Sequence, residues 1–187
     1  ALMALPASAQ VEPPEGPLDI VIITANQREE NLQDVAISAA ALPSEQLETL
    51  FTGGEDVLAL ATRVPGLYAE SSNGRVAPRF YIRGLGNTDF DLAASQPVSI
   101  IMDDVVMENV VLKSTPLFDL DRVEVYRGPQ GTLFGRNTTA GIVRFTSMSP
   151  TEEFDARAQA SYGSYGTVTF DGAVGGEIAQ RIKARAS

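Results

Sequence analysis

From Phe154 onward the side chains of this chain alternate without a fault. Phe154, Ala156, Ala158, Ala160 and Tyr162 fall on one face of an extended strand, and Asp155, Arg157, Gln159 and Ser161 on the other. After a turn at Gly163-Ser164-Tyr165-Gly166, the apolar set Val168, Phe170, Gly172 and Val174 opposes Thr167, Thr169 and Asp171. A second turn is expected over Gly175 to Gln180, after which Ile182, Ala184 and Ala186 alternate with Arg181, Lys183 and Arg185. A period of two with turn residues between the runs predicts an up-and-down meander of strands. Two environments suit it. In a membrane β-barrel one face meets lipid and the other a polar lumen; in a soluble sheet the apolar face meets a core. Alternation leaves both open.

Upstream, the stretch 119–145 is a β-branched strand at Val123 to Tyr126, a turn region with Gly128, Pro129, Gly131, Gly135 and Gly141, and a second strand at Ile142 to Thr146. Arg127, Arg136 and Arg144 thread through it. A glycine-rich loop can cradle phosphate, but nothing here matches Gly-x4-Gly-Lys-Ser/Thr and no helix signal follows Gly131.

Composition removes further chemistries. The chain has no Cys, His or Trp, so disulfides, the usual zinc sites and His-based relays are excluded. A net charge of −10 disfavours nucleic acid. The pairs Asp89/Asp91, Asp103/Asp104 and Asp119/Asp121 lack EF-hand spacing and read as turn carboxylates. No catalytic residue, metal site or cofactor is expected, and the chain does not read as an enzyme.

The remaining segments fit one α+β unit. Ala1 to Pro6 followed by Ala7-Ser8-Ala9 reads as the cleavage end of a secretory signal peptide. Val11 to Pro17 is a Pro-rich tether, and the apolar run Ile20 to Ile23 behind it is either the first strand of the next unit or a strand held for a partner's sheet edge. A strand with its flanks is expected over Asn31 to Ala41 and a helix capped by Ser44, with Leu47, Leu50 and Phe51 on one face. A short helix follows over Glu55 to Thr62, with strands at Leu67 to Glu70, Arg79 to Ile82 and Val98 to Met102.

Four of these elements, in this order, carry a resemblance: Val64-Pro65-Gly66-Leu67, Ile82-Arg83-Gly84, Val98 to Val105, and Arg127-Gly128-Pro129-Gln130-Gly131-Thr132-Leu133-Phe134-Gly135. Together with the alternating strands, the chain resembles the N-terminal part of a TonB-dependent outer-membrane receptor. Two features depart from the family pattern: Asp103-Asp104 stands where Asp-Gly is usual, and Asn137-Thr138-Thr139-Ala140-Gly141 replaces a more glycine-rich end.

The resemblance implies an α+β plug, a mixed short sheet with short helices, followed by the first antiparallel strands of a membrane β-barrel. The organisation it implies is a signal-peptide remnant at 1–9, a flexible linker with the TonB box at 10–30, the plug at 31–149 and an incomplete barrel start at 150–187. A barrel of this class needs about 22 strands, so the chain is expected to be part of a longer one. For the fragment alone, the strands after 154 are expected to pair poorly or to borrow a partner.

The implied function is gating of nutrient uptake across the bacterial outer membrane, with siderophore-iron, a cobalamin-like molecule or an oligosaccharide as cargo. The implied partners are the TonB C-terminal domain in the periplasm, the rest of the barrel, a small-molecule nutrient and the membrane itself. Asp19, Ile20, Val21, Ile22, Ile23, Thr24 and Ala25 correspond to the TonB box. Arg83 and Arg127 correspond to plug arginines that meet barrel glutamates; the alternative is that they are solvated or pair within the plug. Asn73, Arg75, Asn87, Asp89 and Phe90 stand on loops that face substrate in the family. A stand-alone secreted binding module is the alternative reading.

Overall fold

In a computed structural model of the chain, residues 22–25, 28–51, 57–71, 76–89, 91, 94–114 and 117–187 are described. Among the described residues the alternation and the β-branched runs become twelve strands in four sheets. β1 (Ile22–Ala25) and β2 (Arg28–Asn31) form an antiparallel hairpin. β3 (Ala39–Pro43) leads directly into α1 (Ser44–Phe51), and a 3-10 helix at Val57–Thr62 precedes β4 (Leu67–Glu70), which pairs with β5 (Arg79–Ile82). β6 (Val98–Met102), β7 (Val105–Val106), β8 (Leu120–Arg127) and β9 (Gly141–Ser147) join β3 in a five-stranded sheet of order β3-β8-β9-β6-β7. Only the β6–β9 pair in it is parallel.

That sheet has two unlike faces. Val123, Val125, Val143, Phe145, Val98 and Ile100 point to one side and pack with Leu47 of α1, Leu60, Val64, Phe80 and Ile82 into the main core. Large side chains buried to this degree contribute roughly 1.5–3 kcal/mol each. The opposite side carries Ile101, Tyr126 and Ile142, with Glu124 and Arg144 between them, and is covered by Ile23 of β1.

β10 (Asp155–Tyr162), β11 (Val168–Ala179) and β12 (Ile182–Ala186) form a separate antiparallel meander. They pair with one another along their length, because the up-and-down order lets each strand satisfy the next.

Several elements differ from the sequence reading. The linker expected at 10–30 ends in hairpin structure at its described residues, since 22–25 and 28–31 pair. The single strand expected over Asn31 to Ala41 is instead the end of β2, a turn and the start of β3. A one-turn helix, α2 (Gly131–Phe134), follows the Gly-Pro turn where no helix was expected. The turn expected over Gly175 to Gln180 is strand up to Ala179; a bulge between Glu177 and Ala179 and a positive φ at Arg181 compress the reversal into two residues.

The Asp103-Asp104 departure is also resolved. Both residues take positive φ (45° and 67°) and form the two-residue turn between β6 and β7. Their side chains offset the strain of two non-glycine residues there. Asp103 accepts hydrogen bonds from the Ser147 amide (2.8 Å) and hydroxyl (2.6 Å), and Asp104 pairs with Arg144 (2.7 Å).

Gly141 admits no replacement at the start of β9. With φ at +148°, a Cβ would lie 2.2 Å from the Tyr126 carbonyl oxygen and 2.8 Å from Ile82 Cδ1. Gly141→Ala is therefore expected to lower stability by at least ~2 kcal/mol, read as a fall in the urea midpoint at unchanged slope; a change within ~0.5 kcal/mol contradicts the close approach.

Candidate functional site

The second face of the five-stranded sheet is built around an acid in an apolar strand. Glu124, between Val123 and Val125 of β8, has no exposed surface. Such a carboxylate requires donors, and four groups surround it. The Thr24 amide of β1 donates to Oε1 at 2.7 Å, and Arg122 Nε donates to the same oxygen at 3.1 Å. The Tyr126 hydroxyl donates to Oε2 at 3.1 Å, with Arg144 Nη1 3.6 Å from it. Burial, reinforced by the Glu124 charge, holds the Tyr126 hydroxyl in its neutral form by raising its pKa.

This network grips the hairpin. Arg122 Nη2 also donates to the Thr24 hydroxyl at 2.8 Å, so Thr24 is held at both its amide and its side chain. Ile23 beside it is fully buried against Ile101, Tyr126 and Ile142, while Ile22 remains 46% exposed. Of the residues matched to the TonB box, Ile22, Ile23, Thr24 and Ala25 form β1; Asp19, Ile20 and Val21 lie outside the described residues.

Arg83 and Arg127 come together from distant segments. Arg83 sits at positive φ (53°) after β5, and its amide donates to the Gly66 carbonyl at 2.8 Å. Its Nη2 donates to the Ser38 hydroxyl at 2.9 Å. Arg127, at the end of β8, donates through Nε to the Pro65 carbonyl (3.0 Å) and through Nη1 to Ala39 O (3.3 Å) and Ser38 Oγ (3.4 Å). Three of the sequence elements that carried the resemblance, Pro65-Gly66, Arg83-Gly84 and Arg127-Gly128, thus meet at one surface point. Among the described residues neither guanidinium has a carboxylate partner. Partial burial first, and the neighbouring Arg83 charge second, lower the Arg127 pKa.

At the opposite end of β8 the charges are reversed. Arg185 of β12 reaches back to Asp119, with Nε to Oδ2 at 2.6 Å and Nη2 to Oδ1 at 2.5 Å, and its Nη1 meets Asp155 at 2.8 Å. Both side chains of the Asp119–Arg185 pair are buried. Arg157 of β10 pairs with Glu48 of α1 at 2.6 Å. The register puts Asp155, Arg157, Ala173, Gly175 and Arg185 on one face of the meander and Ala156, Ala158, Phe170, Gly172, Val174, Tyr162 and Val168 on the other. The polar face is the one applied to the α+β unit. Phe170 (75% exposed), Tyr162 (81%) and Val168 (69%) face away from it.

Of the loop candidates, Asn87 is a brace: its Nδ2 donates to the Ser95 carbonyl at 2.7 Å and its Oδ1 accepts from the Asp89 amide at 2.8 Å. Asp89 is exposed and accepts from the Asp91 amide at 3.0 Å. Asn73, Arg75 and Phe90 lie outside the described residues. Glu124, Arg122, Arg144, Asp119 and Arg185 were not singled out from the sequence. Glu124 had a readable signal, an acid inside a β-branched run.

An α+β unit of mixed strands, with β1 docked on its charged face, is thus followed by meander strands whose polar face is turned inward. A family model described as the TonB-dependent receptor plug domain matches residues 31–142. The chain belongs to this family, whose setting is the bacterial outer membrane. It is 29% identical over 136 residues to the vitamin B12 transporter BtuB of Vibrio vulnificus strain CMCP6, covering 70% of this chain and 21% of that protein. Among solved structures, the alcaligin outer-membrane receptor FauA of Bordetella pertussis has a TM-score of 0.67 at 24% identity, covering 88% of this chain and 28% of its own. The ferric yersiniabactin uptake receptor FyuA of Yersinia pestis has a TM-score of 0.68 at 22% identity, covering 76% and 22%. The chain thus spans about a fifth of the length of the curated relative and a similar share of the solved ones.

Replacing Glu124 by Leu removes the acceptor of the Thr24 amide and leaves Arg144 with Asp104 as its partner. The Thr24 amide is expected to exchange with deuterium at least about tenfold faster, as loss of a buried charge-assisted bond implies. The amides of Val143 and Phe145 on the main core side should be far less affected. Equal acceleration across the chain would mean that Glu124 supports the whole fold rather than the hairpin.

Proposed function

We propose that this chain is the plug and the opening wall strands of an energised outer-membrane importer, with residues 31–149 as the plug and the wall beginning at 150. One observation carries the reading: the meander turns its charged face to the plug and its apolar face outward. A soluble sheet would do the reverse, because its apolar face would be the one to bury. A barrel wall around a polar plug requires the arrangement seen. The alternative of a stand-alone secreted module leaves Phe170, Val168 and Tyr162 exposed without a use.

The cargo class is a scarce nutrient: siderophore-bound iron, a cobalamin-like molecule or an oligosaccharide. The names of the relatives, a vitamin B12 transporter and a catecholate siderophore receptor, support the first two. Energy arrives through residues 19–25, which add as a strand to the sheet edge of the TonB C-terminal domain by main-chain hydrogen bonds.

The plug residues give such a pull a consequence. β1 is the only element that both donates to Glu124 from outside β8 and β9 and covers Ile101 and Ile142, among the described residues. Drawing it away leaves the main core on the other face intact. It uncovers Glu124, Arg122 and Arg144, a charged surface that hydrates readily, so the opening created is polar. Arg83 and Arg127, side by side and without an acid partner among the described residues, hold the plug to carboxylates of the wall during that motion. The Asp119–Arg185 pair anchors the other end of β8.

The test is capture by the isolated periplasmic domain of TonB. The wild-type chain should be retained, and Val21→Pro, which deletes a main-chain donor ahead of the β1 ladder, should reduce retention at least about tenfold, a single hydrogen-bonded register being lost. Undiminished retention of the Val21→Pro chain would remove residues 19–25 from the coupling role.

A further inference from the structure

A polar cavity of about 160 Å³ opens beside the start of β6, away from the hairpin and the arginine seam. Lys113, Gln96 and Ser99 line it, and they are 4%, 5% and 3% exposed. Among the described residues no side-chain hydrogen bond or ion pair joins any of the three to a neighbour, and their polar atoms open onto the cavity rather than being sealed from it. An ammonium held in a largely buried cavity without an acid beside it favours an anionic partner. Three in one cavity is a convergence of donors: an ammonium, a hydroxyl and a carboxamide NH2.

The charges around the cavity set the sign of what it takes. Glu108 and Arg136 stand at its mouth and neutralise each other, with Arg136 Nε to Glu108 Oε1 at 2.8 Å and Nη2 to Oε2 at 2.5 Å. Glu108 is therefore committed to Arg136. Asn137, from the turn after α2, and Ser95, from the loop that Asn87 braces, complete the rim and carry no charge. Among the described residues that line the cavity, Lys113 is the one charge without a partner. The volume suits a group of a few heavy atoms.

We infer that the Lys113 cavity binds a carboxylate group, held by the Lys113 ammonium with the Ser99 hydroxyl and the Gln96 amide as further donors. The carboxylate belongs either to a small free acid or to the end of a longer molecule reaching in past the 94–96 loop. Burial lowers Lys113 to about 8, so the ammonium required for binding is present below that pH. Affinity falls as pH rises through it, by about tenfold for each further unit.

The experiment is thermal unfolding of the full-length protein in sodium acetate against sodium chloride at matched ionic strength. Acetate should raise Tm by a few degrees at about pH 6.5, and the rise should vanish by about pH 9.5. Lys113→Met should abolish the rise at both pH values, and Ser99→Ala should weaken it several-fold. If Lys113→Met does not fold, the pH comparison on the wild-type protein decides alone. Hexanoate separates the two sources: an effect equal to that of acetate marks the end of a longer molecule, whereas an effect of acetate alone marks a small free acid. No rise with acetate at the lower pH, a rise that persists at the higher pH, or a rise retained in Lys113→Met overturns the inference.

Discussion

A carboxylate with no exposed surface, Glu124, sets the organisation of the plug. Its neighbours Val123 and Val125 bury on the main core side, and the strand period sends Glu124 to the other face. There it needs donors that its own sheet supplies only in part, through Arg122, Tyr126 and Arg144. The Thr24 amide completes the set. Among its described side chains the hairpin is held by a polar grip and the buried Ile23. A contact of that kind is specific and can be broken without dismantling the core.

The same preference for polar contact governs the outer strands. Ion pairs, Asp119–Arg185 and Arg157–Glu48, join the meander to the plug, while its apolar side chains face away. The seam at Arg83 and Arg127 extends the pattern, since both arginines use hydroxyls and main-chain carbonyls and leave their charge available at the surface. Contacts of this type suit the proposed role, a plug seated in a hydrated lumen.

Much of this was legible in the sequence. The Leu67–Glu70 and Val98–Met102 strands, the helix at Ser44 and the meander follow from period and capping alone. The order of the glycine and arginine elements was enough to point to the family. The partners were not legible, because they are long-range: Thr24 meets Glu124 across a hundred residues, and Arg185 meets Asp119 across sixty-six. The helix α2 was missed because a single turn after Gly-Pro carries no periodicity. How Asp103-Asp104 replaces the usual Asp-Gly was not legible, because its compensation comes from Ser147 and Arg144, on a strand forty residues away. The direction in which the alternating faces point is likewise a tertiary fact, fixed by Arg157 and Arg185.

That direction is the most exposed part of the account, and the absence of cysteine makes it directly measurable. Single cysteines at Phe170 and Asp171, adjacent on β11 and opposite in face, can carry spin labels in the protein embedded in a bilayer. Collision with oxygen, which concentrates in lipid, should be high at 170 and low at 171. The reverse order, or equal accessibility at the two positions, would contradict a wall whose polar face is turned to the plug.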